Sequence, residues 1–434
     1  MKAKHVWWSV AALLTAGAVA ATAGVGVAVH NEYKDLSHGE PLTVAEPTAP
    51  LAPLQAPEGE ADAAAIAARL DGVLADADLG EFSARVTDTT TGDVVWDHAA
   101  DRALLPASAT KVLTTAAATL ELGEDHRITT EVVAGKVEGN VVIKAAGDVW
   151  LTDKQIEDLA KELEGQQVDG VFVDTSAWGG KDFNPGWERA DIDGGFIAPM
   201  QPVMRFGARL GEPGRSGELT GDMPRSHTPA LDVAQRLAQR LGAESSGFAP
   251  ASADAKVLAS TRSARLDERT QDMVKHSDNI AAEAIARELA TTRGEDASFE
   301  GATAATLAVL EEHGIPTDGV RLTDNCGLSK NNRIPAATLD AVVAAAVEQP
   351  ELRPLLGYLP VAGGEGTLAE RYDDRAGLGY VRAKTGTLTG TSALTGTAVG
   401  KSGRVYSFGM VSNDSDVLAA RAGLDDLASA LREF

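Results

Sequence analysis

The chain lacks most of the residue patterns that mark common enzyme classes. A single cysteine, Cys326, stands among 434 residues, which excludes an intrachain disulfide and a thiolate metal site. The eight histidines form no His-Glu-x-x-His pattern, so a metallopeptidase of that type is also excluded. No metal and no cofactor is expected. There is no Gly-x-Ser-x-Gly elbow and no phosphate-binding glycine loop, which removes two further classes. Basic residues are few. The 39 Lys and Arg against 63 Asp and Glu leave a formal charge of −24, which argues against nucleic acid or an anionic lipid surface as a partner. A solvated acidic surface accounts for that charge. No repeat of fixed period is present.

One feature the chain does have is an apolar leader. Lys2 and Lys4 precede an uncharged run from Val6 to Val29, rich in Ala, Val, Leu and Gly. A run of that length can span a bilayer, and the lysines favour a cytoplasmic N-terminus. Ala21 and Ala23 also offer a cleavage site, so residues 1–34 read as a signal peptide or a membrane anchor. Either way export is expected, with the mature protein at the outer face of the membrane or in the cell wall. Residues 35–62, with Pro41, Pro47, Pro50, Pro53 and Pro57, read as a semi-extended linker.

The remaining sequence, with 44% hydrophobic residues over the whole chain, can support a sizeable core. A helix is expected over 63–75, then strands over Phe82–Asp88 and Asp93–Asp97 joined by a Thr-Thr-Thr-Gly turn. Val112, Leu113, Ala116, Ala117 and Leu120 recur at helical spacing, which places Ser108 at a helix N-terminus and Gly123 at its C-cap. Three strands follow near the other end, Tyr380–Leu388, Thr391–Val399 and Val405–Ser412, and a helix over 419–432 closes the chain. Strands, a helical middle and strands again imply an α+β domain whose antiparallel sheet uses both ends of the sequence. Residues 63–146 and 256–434 are its two parts. Residues 147–255 read as a loop-rich insertion carrying Trp150, Trp178 and Trp187.

Three short motifs supply chemistry. In Ser108-Ala109-Thr110-Lys111, positions i and i+3 share a helical face, so the lysine amine lies beside the serine hydroxyl. A serine hydroxyl is a poor nucleophile until a base removes its proton, and a lysine serves as that base only when its pKa is lowered. In Ser277-Asp278-Asn279, the second serine could relay a proton and the amide could engage a substrate backbone. Each of these motifs taken alone also reads as a helix cap. A rival Ser329-Lys330-Asn331 lies in loop-like sequence and is set aside. In Lys384-Thr385-Gly386-Thr387, a strand carries a cation, two hydroxyls and a glycine that admits close backbone approach. A peptide could lie along that edge with its terminal carboxylate on Lys384, Thr385 and Thr387. His276 and Cys326 are expected to be structural.

On these residues the chain resembles the serine D-alanyl-D-alanine carboxypeptidase/endopeptidase family, the class C type-4 low-mass penicillin-binding proteins. Pro106-Ala-Ser-Ala-Thr-Lys111, Asp278-Asn-Ile-Ala-Ala-Glu283, Asp324-Asn-Cys-Gly-Leu-Ser329, Leu359-Pro-Val-Ala-Gly-Gly-Glu-Gly-Thr-Leu368 and Arg382-Ala-Lys-Thr-Gly-Thr-Leu-Thr-Gly390 carry the likeness. The resemblance implies a penicillin-binding/β-lactamase-like transpeptidase domain, an antiparallel sheet with helices on both faces, carrying an inserted domain. It implies Ser108 as the acylated nucleophile, Lys111 as its base, and Ser277 and Asn279 as the middle motif. Lys384, Thr385 and Thr387 would hold the substrate carboxylate, with the Ser108 and Thr387 N–H groups as oxyanion hole. Peptidoglycan stem peptides would be the substrates, their terminal D-Ala or their crosslinks the target, and β-lactams covalent inhibitors. Cys326 stands where the family often has a small hydroxyl residue, Ala145-Ala-Gly-Asp-Val149 departs from a more glycine-rich form, and the insertion looks reduced.

Two other readings compete. A serine β-lactamase shares the motifs, but class A enzymes add a Glu-x-x-x-Asn, and no glutamate between Asn279 and Lys384 has an asparagine four residues on. A non-catalytic wall-binding protein would not need the intact motif set.

Overall fold

The computed structural model describes residues 2–34, 59–213 and 221–434, in two units divided after Gln55. In the first, Lys2–Tyr33 is a single helix. Among the described residues no helix is long and apolar enough to cross a membrane. Most of the expected linker, 35–58, lies outside the described residues.

The second unit begins with helix Ala63–Asp76, capped by Asp62, whose carboxylate accepts from Ala65 N–H at 3.0 Å. A five-stranded antiparallel sheet is its backbone, in the order Val381–Leu388, Thr391–Val399, Val405–Asn413, Glu81–Asp88, Val94–His98. The two ends of the sequence thus meet where Glu81–Asp88 pairs with Val405–Asn413. Nearly every residue of the central strands is buried, so both faces must be covered. Helices Ala63–Asp76 and Val417–Ala430 cover one face through Ile66, Leu70, Leu424 and Leu427 against Phe408 and Met410. On the other face sit helix Ala336–Glu348 and a helical layer built from Lys111–Leu122, Asn279–Thr292 and Phe299–Glu312. Small residues on these helices (Ala116, Ala117, Ala282, Ala286, Ala302) are fully buried and let the axes approach closely.

The region expected to be loop-rich has a sheet and core of its own. Strands Thr129–Ala134, Asn140–Lys144, Gly170–Asp174, Ser245–Phe248 and Val257–Arg262 form a second five-stranded sheet, partly parallel. Helices Asp153–Glu162 and Pro229–Leu241 pack on it through Ile156, Leu159, Val233 and Leu237. Strand Thr129–Ala134 pairs with Val257–Arg262, so this sheet extends past both expected edges of the insertion, 147 and 255. The strands were hard to read because several have only four or five residues. The stretch 178–187 is loop, as expected.

Candidate active site

Ser108 sits on a one-turn 3-10 helix, Ala107–Thr110, that runs straight into helix Lys111–Leu122. Ala107 enters the turn with φ of +48°, a conformation that costs an alanine about 1 kcal/mol or more and persists only where packing enforces it. That packing is visible. The turn lies on strand Val381–Leu388 at Gly386, where a Cβ would stand 2.4 Å from the Pro106 carbonyl oxygen. Opposite, a Cβ on Gly327 would stand 1.9 Å from the Ala107 carbonyl oxygen. Two glycines therefore clamp the segment that presents the serine.

Lys111 is fully buried. Its Nζ lies 3.0 Å from Ser108 Oγ, 2.6 Å from Asn279 Oδ1 and 2.6 Å from the Cys326 carbonyl oxygen. The last two oxygens can only accept. A neutral amine thus spends its two N–H groups on them and keeps its lone pair for the Ser108 hydroxyl hydrogen. Burial lowers the Lys111 pKa, against the pull of Asp324, Asp278 and Glu283, and so favours that neutral form.

Ser277 and Asn279 meet the same cleft from the junction between helices Leu266–His276 and Asn279–Thr292. Ser277 ends the first helix in the left-handed region, with φ of +58°. Asp278 caps the second helix, accepting from Ala281 N–H at 2.9 Å. Its other oxygen is paired with Arg209 at 2.9 Å and lies 3.6 Å from Arg225. Asn279 Nδ2 donates to the Phe196 carbonyl at 3.0 Å.

Lys384 is buried in the cleft wall on the edge strand, its Nζ donating to Ser277 Oγ and to the Thr385 carbonyl, both at 2.8 Å. Burial, with Lys111 adding repulsion, pushes its pKa well below the ordinary value. Thr385 and Thr387 line the cleft. Ala383 N–H donates outward to the Pro360 carbonyl at 3.0 Å, and alternation along the strand turns the Thr387 N–H to the same open side. Ser108, Ser277, Asn279, Thr385 and Thr387 therefore line one cleft of about 940 Å³, with Lys111, Lys384 and Gly386 behind them.

His276 also borders the cleft, paired with Asp272 at 2.8 Å, and Cys326 is buried. The rival Ser329 is buried in its loop, its hydroxyl bonded by Thr323 at 2.9 Å.

Several residues were not anticipated. Phe196, Arg209 and Arg225 come from the inserted region. Glu283 is fully buried; one of its oxygens accepts from both Asn325 N–H and Cys326 N–H at 2.7 Å, fixing the loop whose carbonyl holds Lys111. Burial, with Asp324 adding repulsion, pushes its carboxyl up to about 7. Glu283, Asp324 and Cys326 cluster closely enough to hold a metal ion. The Asp324 oxygens, however, already take N–H donors from Gly327, Ser329, Asn332 and Trp187. Arg421 and Thr367 join the cleft from the closing helix and from the loop before the edge strand. Glu283, Asp324 and Thr367 fall inside stretches that supported the family resemblance, whereas Phe196, Arg209, Arg225 and Arg421 carry no local sequence signal.

Known proteins resemble the chain along nearly its whole length. The profile of the D-Ala-D-Ala carboxypeptidase 3 (S13) family matches residues 66–210 and 211–433. The chain is 42% identical to Carboxypeptidase DacB of Mycolicibacterium smegmatis, over 99% of this chain and 97% of that one. It is 41% identical to a carboxypeptidase of Mycobacterium tuberculosis over 85% and 84% of the two chains. Its fold is similar to the crystal structure of penicillin binding protein 4 from Haemophilus influenzae, with a TM-score of 0.71 at 23% identity, covering 83% of this chain and 98% of that one. The chain belongs to the D-Ala-D-Ala carboxypeptidase 3 (S13) family.

Proposed function

We propose that the protein is a serine-type D-Ala-D-Ala carboxypeptidase that acts outside the cytoplasm on peptidoglycan stem peptides. The neutral Lys111 amine takes the Ser108 proton as Oγ attacks the carbonyl of the penultimate D-Ala. The Ser108 and Thr387 N–H groups stabilise the resulting oxyanion. Collapse breaks the peptide bond. The Lys111 ammonium gives that proton, relayed through Ser277, which Lys384 orients, to the leaving D-Ala amine and is neutral again. Lys111 then deprotonates a water that hydrolyses the Ser108 ester, restoring the enzyme. Thr385 and Thr387 receive the substrate's terminal carboxylate, and Asn279 holds both Lys111 and the acyl-side backbone. β-Lactams acylate the same serine, and peptide crosslinks ending in the same D-Ala linkage are a second substrate of the same site. The leader helix directs export or anchors the chain.

The observation that carries this reading is the Lys111 amine held between Ser108 Oγ and two acceptor oxygens inside the wall. Labelling with a fluorescent penicillin, combined with D-Ala release from an acyl-D-Ala-D-Ala peptide, tests it. Both signals are expected to vanish in Ser108→Ala; D-Ala release that survives the substitution overturns the assignment.

A further inference from the structure

Three cations stand near the threonines that receive the substrate's tail, and they differ sharply in availability. Lys384 is fully buried, faces Ser277 and a backbone carbonyl, and does not line the cleft. Arg371 lines the cleft, but its guanidinium is committed to Asp425 through two bonds, at 3.0 and 2.6 Å. Arg421, on helix Val417–Ala430, also lines the cleft and makes no ion pair among the described residues. Its Nη2 donates to Thr387 Oγ1 at 3.0 Å, and its Nε is buried without a partner.

This bond has a consequence for Thr387. A hydroxyl has one hydrogen to give and two lone pairs to accept with. Arg421 fills an acceptor position, so the Thr387 hydrogen is left to donate into the cleft. Thr385 differs, because its hydroxyl donates to Thr367 Oγ1 at 2.9 Å. A guanidinium behind the hydroxyl also polarises it toward donation, and it stays charged at any working pH. With Lys384 committed to Ser277 and the Thr385 carbonyl and Arg371 committed to Asp425, Arg421 is the cation that faces this end of the cleft without an ion pair among the described residues.

We propose that Arg421 is a specificity-determining positioning residue, which orients Thr387 as a hydrogen-bond donor and supplies the charge that selects substrates ending in an ionised carboxylate. The inference rests on the carboxypeptidase reading, since it concerns the same cleft. The selected group departs with the leaving D-Ala, so Arg421 acts on acylation and not on hydrolysis of the acyl-enzyme.

The test compares wild type, Arg421→Gln and Arg421→Lys on two matched pairs of reagents. One pair is an acyl-D-Ala-D-Ala peptide and an acyl-D-Ala thiolester with an uncharged leaving group. The other is benzylpenicillin and its methyl ester, read as acylation rates. Arg421→Gln is expected to lower kcat/KM for the peptide, and acylation by benzylpenicillin, at least tenfold, while the uncharged partners change less than twofold. Arg421→Lys should recover part of the loss. Equal losses on charged and uncharged reagents would mean that Arg421 merely supports the fold, and no loss on either would mean that it is idle; both results overturn the proposal. A wild-type protein that takes up penicillin but releases no D-Ala defeats the carboxypeptidase reading instead, and leaves the penicillin pair to judge Arg421.

Discussion

Asp278 and Arg209 form a buried ion pair, 2.9 Å between Oδ2 and Nη2, that joins the middle of the second motif to the inserted region. Burial pushes the Asp278 carboxyl up, but Arg225 and Arg209 together outweigh it and hold the group below its ordinary value. The inserted region is therefore wired to Asn279, which shares its backbone with Asp278 and is also held by the Phe196 carbonyl. Arg209→Met leaves Asp278 with one weaker partner, and breaking a buried pair on one side costs roughly 3–5 kcal/mol. The expected outcome is a lowered Tm and slower penicillin acylation. Unchanged values of both in Arg209→Met would mean that the insertion is energetically separate from the site.

Glu283 tests whether the loop behind Lys111 needs its anchor. Glu283→Ala strands the buried Asn325 and Cys326 N–H groups, each costing about 1–3 kcal/mol, and frees the carbonyl that holds Lys111. Acylation by penicillin should fall by an order of magnitude or more. Glu283→Gln keeps an acceptor oxygen and should retain most of the rate. Stopped-flow acylation of the two variants separates the cases.

Gly386→Ala probes the clamp on the nucleophile. The added methyl would meet the Pro106 carbonyl at 2.4 Å and Ala109 N at 3.0 Å, so the turn bearing Ser108 must shift. Near-complete loss of penicillin labelling is expected, with far-ultraviolet circular dichroism unchanged, since the strand itself tolerates alanine. Full labelling of the variant would show that the turn is not held by the strand.

Asp340 gives a pH dependence with a definite sign. It is buried behind the central sheet, accepts from Thr87 and Ser407 hydroxyls at 2.6 Å each, and burial raises its carboxyl from 3.8 to about 6. The folded state thus binds this proton more tightly than the unfolded chain. Its contribution favours folding in acid and is lost as pH rises from the unfolded value through about 6. Asp340→Asn does not titrate, and both hydroxyls can turn to suit an amide. Denaturant unfolding should show the variant more stable than wild type above pH 7, by on the order of 2–3 kcal/mol, with the gap closing near pH 4. A gap independent of pH would assign Asp340 a different role.

How far the sequence foretold this arrangement follows from the range of each interaction. The catalytic strands were placed to within a residue or two, because each is long and buried and the turns between them carry glycine. Ser108 and Lys111 were readable as neighbours, since three residues on a helix fix their proximity. Nothing in local periodicity announces that Arg209 reaches Asp278 or that Arg421 reaches Thr387; both pairs form only when distant segments fold together. The second sheet escaped notice for a related reason, since its short strands alternate with helices and its outer strand pairs across the whole insertion.

The seam between Glu81–Asp88 and Val405–Asn413 has a bearing on timing. As the polypeptide emerges N-terminus first, Glu81–Asp88 finds Val94–His98 early, but its other edge waits for Val405–Asn413 until almost all the rest has followed. The wall that bears Lys384 and Arg421 is likewise among the last parts to arrive. The cleft around Ser108 is thus complete only when synthesis is nearly finished.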